Sequence, residues 1–139
     1  MIELADTSAW TSRAKDASVG ADFDARLAAG SIATCAMVRL ELLRSARNHG
    51  TFAALRSDLD ALRDVAMGER VWRRATDVFE QLAALGPLHH RRVAAPDLLI
   101  AAAAELAEVP VVHYDRHFDV IAAVTGQPVR AVAPLGSLD

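Results

Sequence analysis

The sequence predicts a single α/β domain, a three-layer α/β/α sandwich whose sheet is mostly parallel. Short apolar runs alternate along the chain with longer segments of helical spacing, the pattern of strands joined by crossover helices. Such an arrangement covers a parallel sheet on both faces. No repeat, low-complexity segment or linker interrupts the 139 residues, so one core and one domain over 1–139 are expected.

Ile2 to Ala5 is a short apolar run ending in Asp6, read as a buried strand that leads into a turn or helix. Val19, Phe23 and Leu27 share helical spacing, which predicts a helix over 19–29 with Gly30 as its stop. Ser31 to Cys35 is β-branched enough for a second strand. Met37, Leu40 and Leu43 predict a helix over 36–47, ended by Asn48 and Gly50. Phe52, Leu55, Leu59 and Leu62 line one side of a helix over 51–63, and 64–67 is read as a short third strand. The spacing from Val71 to Leu85 predicts a helix over 69–85, closed by Gly86-Pro87, before a polar, basic connection over 88–94. Pro96 opens an Ala-rich helix to Val109. A strand over 111–114, a helix over 115–125 and a last strand over 129–132 complete the chain.

Composition narrows the functional classes. A hydrophobic fraction of 53% and a charged fraction of 24% describe an ordinary globular protein. The longest wholly apolar stretch, Leu98 to Ala104, is too short to cross a bilayer. The opening Met-Ile-Glu-Leu-Ala-Asp has no basic region, so a secretory signal is not expected and cytoplasmic residence is the default. One cysteine, Cys35, excludes an intramolecular disulfide and a multi-cysteine zinc site, and buried packing is its expected role. The net charge of −3 carries no whole-protein signature for nucleic acid. Lys15 is the only lysine among 15 basic residues. Arginine suits bidentate phosphate contacts, although compositional bias explains the excess more simply.

The chemistry lies in four acids far apart in the chain. Asp6 and Asp115 sit at the carboxyl ends of predicted strands, where open α/β sheets bind ligands. Asp97 lies near the start of the Ala-rich helix, and Glu41 lies mid-helix between Leu40 and Leu42. Helix capping explains Asp6, Asp97 and Asp115 individually, because carboxylates at helix starts accept free backbone N–H groups and complement the dipole. A local pair with Arg44 is the ordinary reading of Glu41, and such exposed pairs contribute little. Capping does not explain why strand-end acids coincide with an acid inside an apolar helical run. A hard divalent cation such as Mg2+ or Mn2+, which prefers oxygen ligands, explains all four. Asp119, one turn beyond Asp115, either extends the cluster or is a solvated surface acid.

In order and context these acids resemble those of the PIN-domain ribonucleases, and more narrowly the VapC toxins of bacterial toxin–antitoxin pairs. The match begins with an apolar strand ending in Asp6-Thr7-Ser8, followed by a helical Glu41 within Val38-Arg39-Leu40-Glu41-Leu42. It continues with Asp97 heading Pro96-Asp97-Leu98-Leu99-Ile100-Ala101-Ala102, and with Asp115 in His113-Tyr114-Asp115-Arg116-His117-Phe118. No family motif falls between Asn48 and Val93. The resemblance implies a PIN-like fold and endonucleolytic cleavage of RNA that depends on Mg2+ or Mn2+. It assigns Asp6, Asp97 and Asp115 to the metal and Glu41 to orienting water or accepting a proton. A divalent ion there would polarise a phosphoryl oxygen and activate water for in-line attack. The resemblance also implies a homodimer and a cognate VapB-type antitoxin whose tail covers the acidic site.

Other residues have two readings each. Thr7 and Ser8 either support the acids through hydroxyl hydrogen bonds or cap the next helix. Arg91 and Arg92, in the basic run His89-His90-Arg91-Arg92, and Arg116 are candidate RNA contacts or solvated cations. His113 and His117 flank Asp115 and suggest a His–carboxylate cluster, but His113 is expected to pack away from Asp115. Trp10, Trp72, Phe23 and Phe52 are read as core or interface residues. A response-regulator receiver requires a late lysine that this chain lacks, and a haloacid-dehalogenase phosphatase requires Asp-x-Asp where Asp6-Thr7-Ser8 stands. The remaining alternative is a PIN-like module that binds RNA or protein without cutting.

Overall fold

The computed structural model describes residues 1–139. Five parallel strands form one sheet: β1 (Glu3–Ala5), β2 (Ile32–Cys35), β3 (Arg63–Val65), β4 (Val111–His113) and β5 (Val129–Ala131). Their spatial order is β3-β2-β1-β4-β5. The chain therefore builds outward from β1 in one direction, then reverses and adds β4 and β5 on the other side. Leu4 stands in register with Ala33 of β2 and Val111 of β4, which places β1 at the centre.

Seven helices connect the strands: α1 (Thr7–Ser12), α2 (Ala17–Ala28), α3 (Ala36–Leu43), α4 (His49–Asp60), α5 (Glu69–Ala84), α6 (Ala95–Leu106) and α7 (Arg116–Thr125). Alternation along β1 assigns the two layers, since successive side chains point to opposite faces. Leu4, Ala33 and Val111 meet α3, α5, α6 and α7 in the larger core. Ala5, Ile32 and Val112 face α1 and α2 in a smaller one around Ala9 and Phe23. Every residue from Leu98 to Ala104 is buried, so α6 is apolar all round because neighbours enclose it on every side. Glu3 also faces the α2 layer, where the guanidiniums of Arg26 and Arg130 both donate to its carboxylate. That clamp makes a buried acid tolerable at the amino end of the sheet.

Several element boundaries differ from the sequence expectation, including α4, which starts at His49 and so contains Gly50, and β3, which starts at Arg63. A separate six-residue helix, α1, precedes α2, and α2 begins at Ala17 because the Asp16 carboxylate accepts the amides of Ser18 and Val19. The helix expected over 36–47 stops at Leu43, where the Ser45 hydroxyl and amide both turn back onto the Leu42 carbonyl. The basic connection over 88–94 contains a 3-10 turn, His89–Arg92, entered through Leu88 at φ 59°. Trp10 and Phe23 pack edge to face at 4.9 Å, as core residues do. Trp72 and Phe52 are 57% and 38% exposed, which removes them from the core. Cys35 is buried as expected, and burial raises its thiol pKa, which keeps the group protonated and inert.

The short link between α1 and α2 relies on Gly20. A Cβ there would lie 2.7 Å from the backbone carbonyl oxygen of Arg13. Gly-to-Ala changes in helices ordinarily stabilise by about 0.4–1 kcal/mol. Here Gly20→Ala is expected to lower the unfolding free energy in urea by roughly 1–3 kcal/mol, because backbone must shift. Unchanged or increased stability would show that this junction yields freely.

Candidate metal centre

The centre forms where strand order reverses, in the crevice beyond the carboxyl ends of β1 and β4. Asp6 follows β1 and caps α1, accepting the Ala9 amide at 3.0 Å and the Ser8 hydroxyl at 2.8 and 2.9 Å. The Ser8 oxygen in turn accepts the Tyr114 amide from the β4 side at 2.7 Å. One hydroxyl thus braces the two strand ends against each other. The Tyr114 phenol oxygen accepts the Leu138 amide at 2.8 Å, tying the C-terminal tail to the same residue.

Glu41, half-buried on α3, accepts the Thr7 hydroxyl at 2.8 Å. It makes no pair with Arg44, the ordinary alternative for this acid, and is held instead by a contact across 34 residues. Asp97 stands in the first turn of α6 without capping it, so its carboxylate is free to face the crevice. Asp115 caps α7 by accepting the His117 amide at 2.9 Å. The His117 side chain folds back over that cap, with Nδ1 2.7 Å from Asp97 Oδ2 and 3.7 Å from Asp115 Oδ1. Ligand atoms of Asp97, Asp115 and His117 all lie within 4.8 Å of one another.

His113 does pack away from the Asp115 carboxylate, yet it supports that residue. Its Nδ1 accepts the Asp115 amide at 3.1 Å, which assigns the ring proton to Nε2, and the ring lies 5.3 Å from that of Phe118. Burial lowers its pKa, so the ring stays neutral. Asp119 is placed 3.5 Å from His113 Nε2, outside the group formed by Asp97, Asp115 and His117. Arg91 and Arg92 lie exposed on the 3-10 turn, and Arg116 is exposed at the start of α7. Arg116 lines a cleft beside Asp115 together with Lys15 and Tyr114, and Lys15 Nζ sits 5.3 Å from the tyrosine ring centre. Sequence reading had no signal for the Ser8–Tyr114 brace, whose partners are 106 residues apart.

Electrostatics binds the acids into one unit. Burial pushes the Asp6 pKa up to about 7, the negative charge of Asp97 adds to the rise, and the hydrogen bonds from Ser8 and Ala9 oppose it. Asp97 is also raised, first by burial and then by the charges of Asp115 and Glu41, with His117 acting against them. No arginine or lysine pairs with any of the four acids, and the one basic side chain within 4 Å of them is the His117 imidazole. Converging, partly desolvated carboxylates without a fixed counter-charge are the donor set that a divalent cation requires. The residues fit the group.

A parallel sheet of this order with acids at its reversal point defines a class, and comparison with known proteins agrees. The chain belongs to the PIN-domain family, whose model matches residues 4–124. Within that family the similarity runs to the VapC ribonucleases. Ribonuclease VapC18 of Mycobacterium tuberculosis is 43% identical over 99% of this chain and all of its own length. Ribonuclease VapC21 of the same species is 42% identical over 78% of each chain. Solved structures share the fold: VapBC-1 of nontypeable Haemophilus influenzae has a TM-score of 0.72 at 16% identity, covering 95% of this chain and 98% of its own. VapBC2 of Rickettsia felis has a TM-score of 0.70, also at 16% identity, covering 94% and 98%. No helix is long and apolar enough to cross a membrane.

The raised Asp6 pKa has a testable consequence for stability. The folded carboxyl holds its proton up to about pH 7, whereas the unfolded one releases it near 3.8. Between these values the folded state binds more protons, so metal-free stability falls as pH rises through that window. Thermal melts in chelator are expected to show this fall for the natural chain and a flatter profile for Asp6→Asn. The variant should be the more stable at pH 7.5, by roughly 1–3 kcal/mol. Added Mn2+ should stabilise the natural chain there far more than the variant. Identical pH profiles would remove Asp6 as the source.

Proposed function

We propose that this chain is a divalent-metal-dependent endoribonuclease of VapC type, the toxin of a toxin–antitoxin pair. The observation that carries the reading is the cluster of Asp97, Asp115 and His117 at the sheet's reversal point, with Asp6 and Glu41 outside that cluster but electrostatically coupled to Asp97, and with no arginine or lysine paired to any of the four acids. Membership of the PIN-domain family and relatives named as VapC ribonucleases supply the substrate class. Structural neighbours that are VapBC complexes support a VapB-type antitoxin as partner, and a homodimer is part of the same proposal.

Asp6, Asp97 and Asp115 would hold Mg2+ or Mn2+, which when bound neutralises phosphate charge and activates water. Asp6 is fixed by the Ser8 hydroxyl and the Ala9 amide, and Asp115 by the His117 amide, so neither carboxylate must reorganise on binding. Glu41, aimed by Thr7, accepts the proton of the attacking water. Arg116 and Lys15, on the cleft beside Asp115, are candidates to hold RNA phosphate, and the exposed Arg91 and Arg92 of the 3-10 turn are further candidate contacts.

Asp97→Asn preserves shape while removing charge from a carboxylate that feels the charges of Asp115 and Glu41. It is expected to reduce metal-dependent cleavage of a mixed RNA pool by at least about 100-fold. Thr7→Val, which only frees Glu41, should cost about tenfold. Undiminished cleavage by Asp97→Asn would overturn the assignment. RNA binding without cleavage by the natural chain, at any concentration of Mg2+ or Mn2+, would favour a binding module.

A further inference from the structure

Besides the acids, one side chain of a different chemistry is built into the crevice. His117 is anchored twice: its backbone amide donates to Asp115, and its imidazole Nδ1 lies 2.7 Å from Asp97. Of the other four histidines, His113 is wholly buried with its Nδ1 engaged by the Asp115 amide, and His49, His89 and His90 lie on α4 or the 3-10 turn, away from this group. The His117 side chain is 32% exposed, so an ion arriving from solvent meets the imidazole as well as the carboxylates.

The geometry points to His117 as a nitrogen ligand of the metal, making the centre a mixed imidazole–carboxylate site that selects Mn2+ over Mg2+. This assignment rests on the metal-dependent reading above and sharpens which ion that reading requires. Ligand bonds of about 2.1 Å place adjacent donor atoms about 3 Å apart and opposite ones about 4 Å apart. The 3.7 Å separation of Nδ1 from Asp115 falls within that spread, and the 2.7 Å separation from Asp97 lies about 0.3 Å below it, so a bound ion would draw those two atoms slightly apart. All-oxygen sites suit Mg2+, whereas imidazole nitrogen favours transition ions of the first row. The competing role is that His117 only positions Asp97, by donating a hydrogen bond from Nδ1. The two roles separate chemically. Asparagine at this position retains a donor for Asp97 but offers no imidazole to a metal.

The test uses the full chain with Mn2+ alone and Mg2+ alone. Pulsed electron paramagnetic resonance of bound Mn2+ is expected to show coupling to an imidazole nitrogen in the natural chain. That coupling should be absent from His117→Asn and His117→Ala. Titration should show Mn2+ affinity falling at least about tenfold in both variants, with Mg2+ affinity changing by less than about threefold. Thermal melts in chelator establish that each variant is folded. Bound Mn2+ without nitrogen coupling, or an unchanged Mn2+-to-Mg2+ affinity ratio in the variants, overturns the ligand role and leaves the four-acid centre standing. Recovery of the full Mn2+ preference by asparagine but not by alanine assigns His117 to positioning and likewise overturns it. Absence of any Mn2+ binding by the natural chain overturns the metal centre itself, and this assignment with it.

Discussion

Burial of carboxylates without a fixed counter-charge at the reversal point of the sheet is the constraint on which the rest of this molecule depends. β1 shows it most directly, because it carries an acid near each end. Glu3 is buried and permanently neutralised by Arg26 and Arg130. Asp6, at the opposite end, is equally buried and receives only hydroxyl and amide hydrogen bonds. A fold that needed only stability would treat the two alike, since an unpaired buried charge costs several kcal/mol by order of magnitude. Leaving Asp6, Asp97 and their neighbours without a fixed cation is what the proposed binding of an exchangeable one requires.

The helices resolve the resulting strain in a consistent way. Asp6 and Asp115 are each the cap of the helix that follows their strand, and Asp97 lies in the first turn of a third. Capping, which competes with metal binding as an explanation in the sequence, is realised at Asp6 and Asp115 and is compatible with the metal binding proposed for the same side chains. The positive ends of three helices moderate the repulsion when no ion is present. Helix starts also fix the carboxylates in place, which reduces the reorganisation that binding requires.

Much of this was legible in sequence because it is local. Asp-Thr-Ser after an apolar run, Pro-Asp before an Ala-rich run and the strand-end Asp115 each announce themselves within a few residues. The β1, β2, β4 and β5 strands and the long helices follow from apolar spacing in the same way. Contacts across the fold were not legible. Glu41 finds Thr7 rather than Arg44 because α1 and α3 converge above the sheet, and no local pattern encodes that convergence. Helix ends were also misplaced where a single side chain intervened, as Asp16 and Ser45 do. Leu40, Phe52 and Leu85 keep helical spacing yet remain exposed, because periodicity records an apolar side without saying what covers it.

Tyr114 links the crevice to the end of the chain. Its amide braces Ser8, which holds Asp6, while its phenol oxygen is held by Leu138. Residues 133–139 carry no catalytic chemistry, yet they are mechanically in series with the central acid of the sheet. Substitutions in this tail are therefore filtered by a requirement they do not display, namely keeping a distant hydroxyl at its proper spacing. Sequence drift at the tail and function in the crevice are joined through one aromatic ring.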